Sequence, residues 1–147
     1  MSTSNKADDI LAEIREGGNR GLASTLGIEM IELSPERVVA TMPVDERTRQ
    51  PFGILHGGAS VGLAETVASV AALLNIDREK YVAMGLEINA NHVRAKTEGI
   101  VTAIGTPLHR GRTTQLWEIR IVDELERLIC ISRCTIAVVP MEKARKG

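Results

Sequence analysis

Between Gly57 and Leu74 the chain reads GGASVGLAETVASVAALL, a run of small and apolar side chains interrupted by one charge, Glu65. The run is too long for an ordinary strand, and its composition suits a helix enclosed by protein on most sides. A bilayer span is a poor alternative. Crossing takes about 20 strongly apolar residues, whereas this stretch is rich in Gly, Ala and Ser and holds a carboxylate at its centre.

The rest of the chain supplies the enclosure. MSTSNKADDILAEIREGG predicts a short helix over residues 8–16, ended by Gly17 and Gly18, then a turn or second short helix at 22–26. GIEMIELSPERVVATMPV holds two apolar runs, 28–33 and 38–44, joined by Ser34, Pro35, Glu36 and Arg37, which reads as a hairpin. Asn75 and Asp77 can end the long helix, and four further runs follow at 82–94, 100–110, 113–122 and 128–139. Their connections are too short for parallel crossovers, so these strands are antiparallel neighbours. The expected fold class is α+β: one long helix lying against a curved antiparallel sheet. The 147 residues form one domain, 1–20 being a helical extension.

Composition excludes several partners. The formal net charge of −1 gives no general attraction to polyanions, and Phe52, Tyr81 and Trp117 are too few aromatics for a single-strand stacking platform. Nucleic acid is therefore not expected, nor is a membrane. Cys130 and Cys134, four apart in an apolar run, fall on one strand face and read as buried thiols in a reducing compartment. The N-terminus has no apolar core of a signal peptide, so the cytoplasm is the expected location.

Glu65 requires an explanation, because a carboxylate left without partners in apolar surroundings takes up a proton rather than stay charged. On a helix Val61, Gly62, Glu65, Ser69 and Ala72 fall along one stripe. A structural ion pair with Arg94 or Arg133 would account for the charge, and so would a general base or nucleophile facing a crevice. The HGG before the helix favours the crevice. The N–H groups of Gly57 and Gly58 fall in the first turn, where they lack helical acceptors and where missing side chains admit a ligand oxygen. Gln50 and His56 flank this loop and could add donors. Gly57 and Glu65 are eight residues apart, about 12 Å along a helix, so they cannot serve one substrate atom within one chain. A two-fold dimer would bring Glu65 of one subunit toward Gly57 of the other.

Gly58, Ala59, Ser60, Val61 and Gly62 also match the G-x-S-x-G nucleophile elbow, with His92 or His109 following. An elbow needs a strand running into the Ser and a parallel sheet, and the strand order here supplies neither.

QPFGILHGGASVGLAETVAS, GLEINANHVR and PLHRGRTTQLWEI together resemble the hotdog-fold acyl-CoA thioesterases. The likeness is to the branch acting on aryl-CoA esters such as 1,4-dihydroxy-2-naphthoyl-CoA and 4-hydroxybenzoyl-CoA, and it spans roughly residues 20–140. The resemblance implies a long helix wrapped by an antiparallel sheet, with dimers pairing into tetramers. It implies hydrolysis of an aromatic acyl-CoA, as in menaquinone biosynthesis, with coenzyme A entering only as part of the substrate and no separate cofactor. Glu65 would be the carboxylate acting as nucleophile or as base on water, supported by Ser69. Gly57 N–H would polarise the thioester carbonyl from the other subunit, in a pocket shaped by Gln50 and His56. His92, His109, Arg112 and Thr113 are the candidates for the nucleotide end. Arg94 is a further candidate there, or structural like Arg133. No metal site is expected, since His56, His92 and His109 lack close acidic or thiol partners. Two other activities stay open on sequence alone: hydrolysis of an acyl group held on a carrier protein, and acyl-CoA binding without turnover.

Overall fold

The computed structural model describes residues 3–17 and 20–146. In chain order the elements are α1 (Thr3–Glu16), α2 (Leu22–Thr25), β1 (Glu29–Leu33), β2 (Val38–Pro43), α3 (Gly57–Leu74), β3 (Tyr81–His92), β4 (Ile100–Arg110), β5 (Thr114–Val122), β6 (Leu128–Pro140) and α4 (Met141–Ala144). The long helix has the bounds expected from sequence, and the strand ends fall within one or two residues of expectation. Helix α1 starts earlier than position 8 because its first half has partners: Ile10 is 2% exposed, Ala7 packs on the core, and Lys6 Nζ donates to Ile76 O at 2.6 Å. Gly17 follows it, with its N–H on Glu13 O, while Gly18 lies outside the described residues. Helix α4 was not anticipated; Pro140 ends β6, and Met141 N–H is held by Lys80 O.

The six strands form one sheet in the order β1-β2-β4-β5-β6-β3, antiparallel throughout. Its edges are the short β1 and the long β3. Helix α3 crosses one face, burying Leu63, Ala64, Val67, Ala68 and Ala71 completely against Val101, Trp117, Ile119 and Ile136 of the sheet. Each fully buried Leu, Ile or Val stabilises by about 1.5–3 kcal/mol, so this single seam accounts for much of the fold. At Gly105 the β4 backbone comes so close to α3 that a Cβ there would lie 2.6 Å from Val67 Cγ1. This is the hotdog arrangement that the resemblance implies. Among the described residues α3 is the one helix long and apolar enough to cross a membrane, but 56% of it is buried inside the fold.

Helix α3 is enclosed on most sides but not on all. Gly62, Glu65, Thr66, Ser69 and Leu73 form a stripe that stays partly accessible, whereas Ala72, expected on that stripe, is fully buried. The 3.6-residue period brings Leu73 onto the stripe and turns Ala72 toward the sheet.

Strand β3 carries a second departure. Its apolar residues Met84, Leu86, Ile88 and Ala90 alternate without a break, which on a regular strand would put all four on one face. A β-bulge between Gly85 and Glu87 changes the phase. Ala83 and Gly85 before it, and Ile88 and Ala90 after it, face the helix side, leaving Met84 51% and Leu86 63% exposed. Cys130 and Cys134 are both buried and free on β6. Burial pushes the Cys134 thiol up to about 11, with the Glu65 and Glu87 carboxylates adding to the effect.

Candidate active site

The loop between β2 and α3 is fixed mainly by its own backbone and by Thr48. That side chain, 1% exposed, donates to Pro43 O at 2.8 Å and accepts from Asp45 N–H, while His56 N–H donates to Thr48 O and Leu55 N–H to Lys96 O. Gln50 sits in a turn closed by its N–H on Ile54 O and by Gly53 N–H on Gln50 O; Gly53 has φ +86, a conformation in which a side chain would be strained. The Gln50 amide oxygen accepts from Phe52 N–H.

The loop delivers the start of α3 with one donor to spare. His56 is the N-cap, and its Nδ1 accepts from Gly58 N–H at 2.8 Å, while its carbonyl accepts from Ala59 and Ser60. His56 Nδ1 therefore acts as an acceptor, which leaves Nε2 as the ring nitrogen that can donate, and Gly58 N–H is already engaged. Among the described residues the Gly57 N–H has no acceptor. Gly57 opens onto a cavity of about 390 Å³ lined also by Gln50, Ser60, His92 and Arg94. The His92 ring lies against it: a Cβ on Gly57 would meet His92 Nε2 at 2.9 Å. Sequence reasoning did not single out Ser60 as a lining residue. It is 1% exposed on the first turns of a helix in an antiparallel sheet, which is not the setting of a nucleophile elbow.

Glu65 lies two turns further on, in the partly accessible stripe. None of the ion pairs among the described residues includes it, so the structural pairing with Arg94 or Arg133 is not formed. Arg94 lines the Gly57 cavity, and Arg133 is exposed on β6. The carboxylate rests instead on Gly85 of β3, where a Cβ would lie 2.8 Å from Glu65 Oε1. Ser69 follows one turn later on the same stripe.

The candidates for the nucleotide end separate into two groups. His92 and Arg94 lie at the N-terminal end of α3, on the Gly57 cavity. His109, Arg112 and Thr113 belong to the β4–β5 turn at the other end, where Arg110 bonds Glu36 at 2.7 Å and the α3 C-cap Asn75 at 3.3 Å. An 18-residue helix is about 27 Å long, so one chain cannot bring both groups to one phosphate. A further cavity of about 460 Å³ between α1, α2 and β1 holds none of the candidate residues. No cluster of three metal-ligating side chains occurs among the described residues.

The model of the thioesterase superfamily matches residues 52–130. The 1,4-dihydroxy-2-naphthoyl-CoA hydrolase of Listeria monocytogenes is 51% identical over 126 residues, spanning 86% of this chain and 99% of that protein. The 1,4-dihydroxy-2-naphthoyl-CoA hydrolase of Escherichia coli is 50% identical over 122 residues, spanning 83% of this chain and 89% of that one. A crystal structure of a mutant of thioesterase PA1618 from Pseudomonas aeruginosa superposes with a TM-score of 0.85 at 44% identity, covering 89% of this chain and 94% of the other.

Proposed function

The chain belongs to the thioesterase superfamily and is a thioester hydrolase, and from that premise we propose that it hydrolyses an aromatic acyl-CoA to the free acid and coenzyme A. The substrate class is drawn from the relatives, with 1,4-dihydroxy-2-naphthoyl-CoA as the first ester to try. The observation that carries the reading is Glu65: among the described residues it is a carboxylate with no cation on it, partly accessible, on the helix whose first N–H has no acceptor there.

Thioesters are activated acyl groups with a good leaving thiolate, so an oriented acid and one preorganised donor can suffice. Gly57 N–H donates to the carbonyl oxygen and stabilises the charge that develops there. Glu65 then either attacks the carbonyl carbon, expelling the thiolate to leave an anhydride that water opens, or takes a proton from the water that attacks. Ser69 supports the carboxylate, and Gln50 borders the carbonyl site. Heavy-oxygen water in a single turnover separates the two routes, since only the anhydride route labels Glu65.

The site is shared between two copies of the chain. Gly57 and Glu65 are about 12 Å apart on one helix, beyond any common atom. Edge strand β3 is long, unpaired on one side, and presents Met84 and Leu86 outward, the features of a sheet edge that pairs with a second copy. A two-fold axis across that edge runs the two α3 helices past each other and sets Glu65 of one against Gly57 of the other. The same axis carries the β4–β5 turn of one subunit toward His92 and Arg94 of the other, uniting the cations separated within one chain. Pairing of such dimers into tetramers follows from the family likeness.

The test is free-thiol release from a panel of aryl-CoA, alkyl-CoA and carrier-protein esters, with Glu65→Gln beside the native chain. Preferred turnover of aryl-CoA, lowered at least 100-fold by the substitution, is the expected result. Undiminished turnover in Glu65→Gln would remove Glu65 from the chemistry, and a preference for carrier esters would replace the substrate.

A further inference from the structure

The bulge in β3 lies directly beneath Glu65, and its two flanking residues have opposite relations to the carboxylate. Gly85 faces α3 and has no side chain, and the space is taken by Glu65 Oε1, 2.8 Å from where a Cβ would stand. The glycine is not required by its backbone: among the described residues the glycines with positive φ are Gly21, Gly27, Gly53 and Gly99. It is required for room. Glu87, on the far side of the bulge, is exposed and accepts from Asn89 Nδ2 on the outer face. Were the same sequence to run as a regular strand without the bulge, alternation would keep odd positions facing the helix, and Glu87 would turn inward beside Glu65. Two carboxylates at that spacing disfavour each other's ionised form.

We propose that Gly85 is a positioning residue for Glu65: the bulge holds a side-chain-free floor under the carboxylate and keeps a second carboxylate off it, fixing the height at which the acid meets the acyl carbon. The inference rests on Glu65 being the acid of the reaction. Its physical content is that a methyl group at position 85 displaces the carboxylate rather than the fold. The atom it would meet is the free end of a flexible side chain, which can swing away at small cost, whereas backbone could not. A displacement of about 1 Å at a reacting group costs on the order of 100-fold in rate.

The experiment is a double-mutant cycle on turnover of an aryl-CoA, with melting temperature and dimer mass recorded for each protein. Gly85→Ala is expected to stay folded and dimeric, with KM unchanged and kcat lowered roughly 10- to 100-fold. In a Glu65→Gln background the same substitution is expected to change the residual rate less than about 3-fold, because there is no acid left to misplace. In a Glu65→Asp background it is again expected to cost less than about 3-fold, because the shorter acid clears the methyl; this comparison remains available if Gly85→Ala alone is poorly folded. Equal losses in all three backgrounds, or an unchanged kcat in Gly85→Ala while Glu65→Gln is inactive, would overturn the assignment. An active Glu65→Gln would instead overturn the underlying reading of Glu65.

Discussion

The imidazole of His92 fills the space that a side chain at position 57 would need, its Nε2 lying 2.9 Å from a Cβ built on Gly57. Any substitution of Gly57 therefore moves His92, and a simple alanine variant cannot isolate the role of the Gly57 N–H. Proline can. Gly57 is the first helical residue, where proline is tolerated, and His56 before it has φ −69 and ψ 129, a conformation that suits a residue preceding proline. Gly57→Ala and Gly57→Pro both displace the ring, but only proline deletes the donor. We expect kcat of Gly57→Pro to fall about 100- to 1,000-fold below that of Gly57→Ala, with similar melting temperatures. Equal rates in the two variants would show that the carbonyl is polarised by another group.

A shared site makes inactive variants complementary. A mixed dimer of one Glu65→Gln chain and one Gly57→Pro chain holds one site built from the intact Gly57 of the first and the intact Glu65 of the second. Its other site carries both lesions. Dimers purified through two different affinity tags should recover about half the native turnover, although either parent is nearly inactive. Mixed dimers no more active than their parents would place the acid and the donor of each site in one chain.

The long helix and the strands are legible in the sequence because their signals are local: an unbroken small-apolar run after HGG, and apolar runs separated by short polar turns. The facing of β3 is not. Met84, Leu86, Ile88 and Ala90 alternate as though all lined the core, and the bulge that turns the first two outward depends on register against β6, which no local pattern records. The same bulge hides Gly85, which reads as an ordinary strand glycine until Glu65 is seen above it. His56 illustrates another limit: a histidine before two glycines suggests a donor to substrate, but only the structure shows that Nδ1 is taken as the N-cap acceptor, leaving Nε2 as the nitrogen that can donate. Separation of His92 and Arg94 from His109 and Arg112 follows from which end of α3 each strand end reaches, a property of topology rather than composition.

Stability toward acid should depend on Glu124. Its carboxylate accepts from Lys96 Nζ at 2.5 Å and from Ile100 N–H at 2.7 Å, joining the β5–β6 turn to the start of β4, and the Lys96 bond leads in holding its pKa at about 2 instead of 4.5. A folded-state value below the unfolded one means that its contribution is complete above about pH 4.5 and is lost as pH falls toward about 2. Glu124→Gln should lower the urea midpoint near neutral pH and converge on the native protein in strong acid. A midpoint difference that stays constant across that range would mean the ionised carboxylate contributes nothing.

Trp117 offers a direct readout of the core. It is fully buried, it is the one tryptophan of the sequence, and its Nε1–H donates to Gln115 Oε1 at 2.9 Å from two residues away on the same face of β5. Gln115 is itself 1% exposed, so neither group can turn to water when its partner is removed. Gln115→Leu keeps the volume roughly constant but strands the indole N–H, which should destabilise by about 1–3 kcal/mol. Removing the indole as well, in Gln115→Leu with Trp117→Phe, takes away the stranded donor. The second substitution should therefore cost less in the leucine background than in the native one, where it also breaks the bond. Urea unfolding read by circular dichroism gives both differences, and Trp fluorescence checks the single variant. Additive losses would show that Gln115 supports the core through packing alone and that its amide oxygen is dispensable to the indole.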